Sequence, residues 1–448
     1  MGVVWYQRLW AILLFVGNMA NANLLKSFLG RAASSTVGKV PPRVTICIGN
    51  EAADADSIIS ALCLAYLRQS TSTAIPARSF IPLVSAPRSE LALRRETELL
   101  LQSAHLELSD LVCLEEVNLA NLRAQGRLDA ILLVDHNSLS SKVADLLVAT
   151  AGPAGEGASA ADVGSLVEEI FDHHQDARLY PHVTERRHIA YDAATKKATA
   201  GSTCTLIYEE FLRQEPEGLG LLDAPLATLL LGVICLDTSN GDAAVGKAEP
   251  RDVAAMAALQ FTPGVPDRDA LYARLRNAKM DPAFWRSLST EQCLLLDYKQ
   301  QALPTGLADY SAPASGCCNV GISSVLQPLA EFAARPGVHL ACRQYMDACS
   351  LDVLVVMTFV LRAGAGAEAG VPNRELLLVA RSPGRLMQAH GFLSAEATLA
   401  LEPLDLPDDT GGTEQAGLAV KGYAQGNIKA SRKQVLPILE NFYQSLCK

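Results

Sequence analysis

From residue 44 the chain breaks into short apolar runs separated by polar clusters, and the runs set the expected elements. Val44 to Ile48 is apolar and β-branched, which predicts a buried strand. Ser57 to Leu67 (SIISALCLAYL) predicts a helix with an apolar face. Between them lies "GNEAADAD", which packs Glu51, Asp54 and Asp56 onto a strand-to-helix turn. Ala130 to Val134 is a second strand-like run and ends directly in Asp135-His136-Asn137. Val167 to Phe171 is a third and ends in Asp172-His173-His174. The longer apolar segment 225–236 (PLATLLLGVICL) closes on Asp237-Thr238. One such ending is ordinary, because Asp is a common turn residue. Repeated endings of this kind predict residues gathered along one edge of a sheet, where open α/β sheets bind ligands.

The Gly/Ala/Pro stretch "ATAGPAGEGASAADVG" reads as a surface excursion. Residues 242–267 have polar, Pro/Gly-containing ends around a short helical "VAAMAAL" and are expected to be a linker. Beyond them, 284–299 reads as helix, Val353 to Leu361 and Leu376 to Ala380 as strands, and Lys433 to Leu446 as a final helix. The expected organisation is α/β in two domains, at 44–241 and 268–448, behind a leader at 1–43. No internal repeat or heptad pattern is visible.

With 448 residues, 49% hydrophobic and 19% charged, the chain is globular with room for a sizeable core. A net charge of -10 argues against nucleic acid as a partner but leaves room for an anionic substrate at a locally positive site. The 11 cysteines show no CxxC pair or zinc spacing, and several fall within apolar segments. They read as reduced thiols of a cytosolic or matrix-like compartment. The leader complicates this. Leu9 to Val16 and Ala20-Asn21-Ala22 fit a secretory signal, whereas Arg8, Lys26, Arg31, Lys39 and Arg43 without an acidic residue before Glu51 fit a mitochondrial or other organellar transit peptide. The apolar run is too short for a stable membrane span. Cytoplasmic, organellar and secreted destinations therefore stay open.

The candidate chemical groups are Asp54, Asp56, Asp135, His136, Asp172, His173, His174 and Asp237. Hard carboxylate oxygens combined with imidazole suit Mn²⁺ or Mg²⁺. The set is large enough for two divalent cations, which together can activate a water and polarise a phosphoryl oxygen. Each motif taken singly has a plainer reading. Asp54 and Asp56 could complement a helix dipole, the Asp-His tripeptides could be solvated turns, and Arg432-Lys433 could be an exposed basic pair. Lys279 and Arg286 read as solvent-exposed, and Arg381 is a weaker candidate after a strand.

The order "GNEAADADS … VDHN … DHH … LDTSN" resembles the DHH phosphoesterase superfamily, and within it the eukaryotic exopolyphosphatases related to prune. "LDYK" (296–299) and "KASRKQVLP" (429–437) resemble motifs of a DHHA2-type second domain, which family II inorganic pyrophosphatases share. The resemblance implies that Asp54 and Asp135 bind one metal, and that Asp56, Asp135, His173 and Asp237 bind the other. It implies that His174 faces the substrate phosphate and helps protonate the leaving group. It also implies that Arg432 and Lys433 grip phosphate in a cleft between the domains. Where pyrophosphatases place a metal-binding His, this chain has Asn50, a weaker possible ligand that shifts preference towards Mg²⁺. The expected activity is end-wise hydrolysis of inorganic polyphosphate to orthophosphate. Alternatives are a prune-like phosphodiesterase or short-chain polyphosphatase, a pyrophosphatase, and a non-catalytic scaffold of the same fold.

Overall fold

The computed structural model describes residues 24–36, 43–73, 78–148, 163–214, 220–304, 317–361, 372–406 and 416–445. The chain divides into two compact units, Met1–Lys279 and Met280–Lys448. In the first, the apolar runs become β1 (Arg43–Ile48), β2 (Arg78–Val84), β3 (Val112–Cys113), β4 (Leu128–Val134), β5 (Val167–Asp172) and β6 (Arg187–Ile189). They pair in the order β3-β2-β1-β4-β5-β6, and every pairing is parallel. Alternate residues of the central strands feed two cores. Cys47, Leu132 and Phe171 join one, while Ile46, Leu133 and Ile170 join the other. A sheet buried on both faces explains why these strands read as continuous apolar runs rather than as alternating patterns.

The strand order reverses between β1 and β4, so the crevice beyond their carboxyl ends is the place where such a sheet binds ligands. β1 runs out into Gly49-Asn50 and β4 into Asp135.

Residues 1–43 were expected to stand outside the fold, and the structure corrects this. Residues 24–36 form helix α1. Its Leu25, Phe28, Leu29 and Ala32 are at most 2% exposed. They recur at helical spacing, so they make one apolar stripe. Phe28 packs edge-on to Tyr66 with ring centroids 5.5 Å apart. Arg127 Nη2 donates to Ser35 O at 2.9 Å. Two of the basic residues that suggest a transit peptide, Lys26 and Arg31, occupy the exposed side of α1, where Lys26 pairs with Asp110 at 3.3 Å. The run Leu9 to Val16 and Ala20-Asn21-Ala22 lie outside the described residues.

Helix α2 (Ala55–Thr71) starts at Asp54, whose side chain accepts from Ser57 N. It packs with α3 (Thr203–Gln214) and α4 (Ala224–Asp237). α4 is buried from Ala224 to Cys235 on all sides, which accounts for its uninterrupted apolar sequence. Helices α5 (Pro250–Gln260) and α6 (Arg268–Lys279) pack on α4. The segment 242–267, read as a linker, and the helix after it thus belong to the first unit.

The second unit holds β7 (Tyr298–Pro304), β8 (Cys317–Val325), β9 (Val353–Thr358), β10 (Glu375–Ala380), β11 (Leu401–Leu404) and β12 (Ala419–Gln425). Their order is β11-β12-β10-β9-β8-β7, with only β8 and β9 parallel. Helices α7 (Pro383–Ala395) and α8 (Arg432–Ser445) bury Ala389, Leu393, Val435 and Leu439 against one face. The expected single helix at 284–299 is instead two short helices, Pro282–Ser287 and Thr290–Leu295, followed by β7. Ser289 and Gln292 form a capping box, which starts a new helix rather than continuing the old one. Among the described residues, no helix is long and apolar enough to cross a membrane.

The placement of α1 makes a direct prediction. A chain that starts at residue 23 is expected to match the full protein in urea denaturation. A chain that starts at residue 44 is expected to lose about 2–5 kcal/mol, because it exposes the surface that α1 covers. Equal midpoints would show that α1 is dispensable.

Candidate metal centre

At the end of β1, Gly49 lets the turn pass close to α2, since a Cβ there would lie 2.5 Å from Ser57 Cβ. The turn carries Asn50 and the α2 cap Asp54, and Asp56 follows in the first turn of the helix. Asp56 is 3% exposed. It accepts from Thr203 N (2.7 Å), Cys204 N (2.9 Å) and Ser202 Oγ (3.0 Å), so it sits at the N-terminus of α3. Burial and the neighbouring Asp54 charge push its carboxyl up to about 6, against those three hydrogen bonds.

Asp135, at the end of β4, is 2% exposed. Its φ of 60° is left-handed, an uncommon conformation for a residue with a side chain. Its Oδ2 accepts from Asn50 Nδ2 (2.7 Å) and Ser57 Oγ (2.8 Å). Its Oδ1 faces His173 Nε2 at 3.5 Å and His174 Nδ1 at 3.7 Å. Asp135, His173 and His174 each offer one ligand atom within 4.8 Å of the others.

The two histidines are set up differently. His173 Nδ1 donates to Ala200 O at 3.2 Å, which leaves Nε2 as the lone-pair nitrogen facing Asp135. His174 Nδ1 donates to Asp172 Oδ1 at 2.8 Å. Burial alone would raise the Asp172 carboxyl, but His174, His173 and the Asn137 amide hold it well below the ordinary range. The His174 side chain stays 24% exposed, open to an incoming group.

Asp237 closes α4. Its Oδ2 is buried with no hydrogen-bond partner among the described residues. Burial and the charges of Asp56 and Asp54 push its carboxyl well above the ordinary value, opposed by Ser202 and Lys279. Like charges at short range raise a carboxylate because they disfavour its ionised form. An orphaned buried oxygen, a cluster of like charges and an imidazole with its lone pair turned inward all fit divalent cations.

Two of the sequence candidates take other roles here. The Asn50 Oδ1 accepts from Ala52 N at 2.9 Å, so the amide serves as a donor to Asp135 rather than presenting its oxygen. His136 Nδ1 donates to Val134 O at 2.9 Å. Sequence reasoning missed Ser202, Thr203 and Cys204, although "GSTCT" before an apolar helix is a recognisable helix start. In the second unit, Arg432 opens α8, with Nη2 2.5 Å from Asp297 Oδ1. The side chain of Lys433 lies outside the described residues. Lys279 pairs with Glu96 at 3.2 Å and Arg286 with Glu331 at 3.0 Å. Arg381 is held by Asp347, Leu351 O and Met346 O.

Residues 44–234 match the DHH family N-terminal domain, and residues 274–442 match the DHHA2 domain. The chain is 30% identical to the exopolyphosphatase PRUNE1 of Bos taurus, over 89% of this chain and 75% of that protein. It is 28% identical to a Schizosaccharomyces pombe protein assigned as an exopolyphosphatase, over 91% of this chain and 92% of that one. Its fold is similar to that of a Methanococcus jannaschii protein assigned as a family II inorganic pyrophosphatase, with a TM-score of 0.53 at 19% identity. That likeness covers 89% of this chain and 99% of the other.

The crowded carboxylates predict a crossover in stability. Without metal, Asp237→Asn is expected to unfold about 1–3 kcal/mol later than wild type, because it removes an unpaired buried charge. With Mn²⁺ at a hundred times its Kd, wild type is expected to gain about 2.7 kcal/mol and the variant clearly less. Urea melts with EDTA and with Mn²⁺ check both halves. A variant less stable than wild type in EDTA would contradict the reading.

Proposed function

The chain belongs to the DHH family of phosphoesterases and carries its DHHA2 domain, and from that premise we propose that it is a metal-dependent exopolyphosphatase. The substrate is inorganic polyphosphate, cut at its terminal phosphoanhydride bond to release orthophosphate. The observation that carries this reading is the convergence of Asp135, His173 and His174 at the point where the sheet order reverses, together with the orphaned oxygen of Asp237. The relatives named as exopolyphosphatases supply the substrate class.

The cofactors are two divalent cations, Mn²⁺ or Mg²⁺, held by Asp54, Asp56, Asp135, His173 and Asp237. When bound they supply positive charge to a phosphoryl oxygen and lower the pKa of an attacking water. The protein's own groups do the rest. Asn50 and Ser57 fix the Asp135 carboxylate by two hydrogen bonds to Oδ2, so its Oδ1 stays turned to the histidines. Asp172 holds a proton on His174 Nδ1 and orients the ring. With Nδ1 so engaged, Nε2 is the ring nitrogen that would pass a proton to a leaving phosphate oxygen. Arg432 and Lys433 bind substrate phosphate, Arg by its fork and Lys as a point charge. The donor role of Asn50 is an observation against a pyrophosphatase-type ligand set at that position.

Phosphate release from long polyphosphate, tripolyphosphate, pyrophosphate and cyclic AMP, with Mg²⁺ or Mn²⁺, tests the proposal. The protein used must retain α1. Release from polyphosphate or tripolyphosphate is expected, and Asp135→Ala is expected to lower it by a factor of about 10³ or more. Activity confined to pyrophosphate or cyclic AMP would overturn the substrate. Inactivity on all four by folded, metal-loaded protein would favour a scaffold.

A further inference from the structure

The charged groups of the second unit are mostly consumed by neighbours, as Arg286 and Arg381 illustrate. Arg374 is not. It directly precedes β10, and its carbonyl accepts from Gln425 N at 3.0 Å. Its Nε donates to Ile428 O at 2.7 Å. Its guanidinium carbon lies 4.7 Å from the centroid of the Phe359 ring. One edge and one face of the group are therefore fixed, which removes much of the entropy cost of using it. Its two terminal nitrogens find no acceptor among the described residues. Those are the donors with which Arg takes two oxygens at once.

The same loop that anchors Arg374 delivers Arg432, since Ile428 stands four residues before it. Arg432 donates from Nη1 to the carbonyl oxygen of Asp297 and pairs through Nη2 with its carboxylate. The Asp297 charge also reaches Arg374. Burial pulls the Arg374 guanidinium below its ordinary value, and Asp297 pulls it back up. Asp297 thus meets Arg432 directly and acts on Arg374 through its charge. That carboxylate carries a single charge and is engaged by Arg432. A phosphate has more charge and more oxygens, and can serve both forks.

We propose that Arg374 is a further substrate-binding residue, that it and Arg432 together hold one phosphate of the substrate, and that this phosphate displaces the Asp297 carboxylate. The assignment rests on the reading of Arg432 as a phosphate ligand. It adds a second guanidinium to that ligand set, and it gives Asp297 the role of a resting counter-ion that keeps Arg432 in place.

The test uses the full chain and tripolyphosphate. Binding is measured by calorimetry in EDTA, and hydrolysis with Mg²⁺. Arg374→Ala is expected to weaken binding and raise KM about tenfold, with a smaller change in kcat. Arg374→Lys is expected to recover part of the loss, because it restores the charge without the fork. Asp297→Asn is expected to bind tripolyphosphate about threefold more tightly, because the competing carboxylate is gone. Urea midpoints equal to wild type exclude a folding defect in these variants. If Arg432→Ala loses affinity while Arg374→Ala keeps it, the Arg374 assignment is overturned and the reading of Arg432 stands. If Asp297→Asn binds no tighter than wild type, the counter-ion role is overturned. If wild type neither binds tripolyphosphate in EDTA nor hydrolyses it with Mg²⁺, both the assignment and the reading beneath it fall.

Discussion

Where the strand order of one parallel sheet reverses, Asp135 follows β4 and Asp54 and Asp56 open α2, and the charges of those last two reach the buried carboxylate of Asp237. Their mutual repulsion in a poorly solvated place is the constraint that the surrounding structure answers. Asp54 raises Asp56, both raise Asp237, and Asp237 keeps an oxygen with no hydrogen-bond partner among the described residues. A fold chosen for stability alone would replace such a group with apolar side chains, which pack without desolvation cost. Keeping the charges is a cost to the metal-free protein that only a bound cation offsets.

The protein limits that cost with neutral donors rather than with cationic side chains in direct contact. The backbone N–H groups of Thr203 and Cys204, at the start of α3, meet Asp56. Asn50 and Ser57 meet Asp135, and Asn137 meets Asp172. Neutral donors hold a carboxylate in place without neutralising it, so its charge stays available to a metal. An arginine in the same positions would compete with the cation. In the second unit the opposite arrangement holds. There Arg432 is paired with Asp297, and Arg374 is anchored on Ile428 O with its fork open. Charge is held ready in both units, negative at the sheet crevice and positive at the start of α8.

Much of this was legible in the residues. The strands β1, β4 and β5 are short β-branched or leucine-rich runs, each closed by a polar residue, and the structure forms them where the pattern puts them. The residue types at their ends already pointed to hard-metal chemistry. Helix α1 was harder to read, because Lys26 and Arg31 imitate the composition of a targeting segment. Only the burial of Leu25, Phe28 and Leu29 separates a packed helix from a leader. The break at 284–299 was local and could have been found, since Ser289 and Gln292 spell a capping box.

The sequence by itself determined the elements and the inventory of donors, because periodicity, caps and turn residues act between neighbours along the chain. Tertiary structure decided which donor meets which. Asp56 takes its hydrogen bond from Thr203, 147 residues away, and Asn50 reaches Asp135 across 85. The lone-pair nitrogen of His173 is set by Ala200 O, and the proton on His174 by Asp172. The open fork of Arg374 depends on Ile428 and Phe359. None of these pairings leaves a periodic trace. Each depends on the order in which strands pair and helices pack, and that order is settled by burial summed over the whole unit rather than by any local stretch.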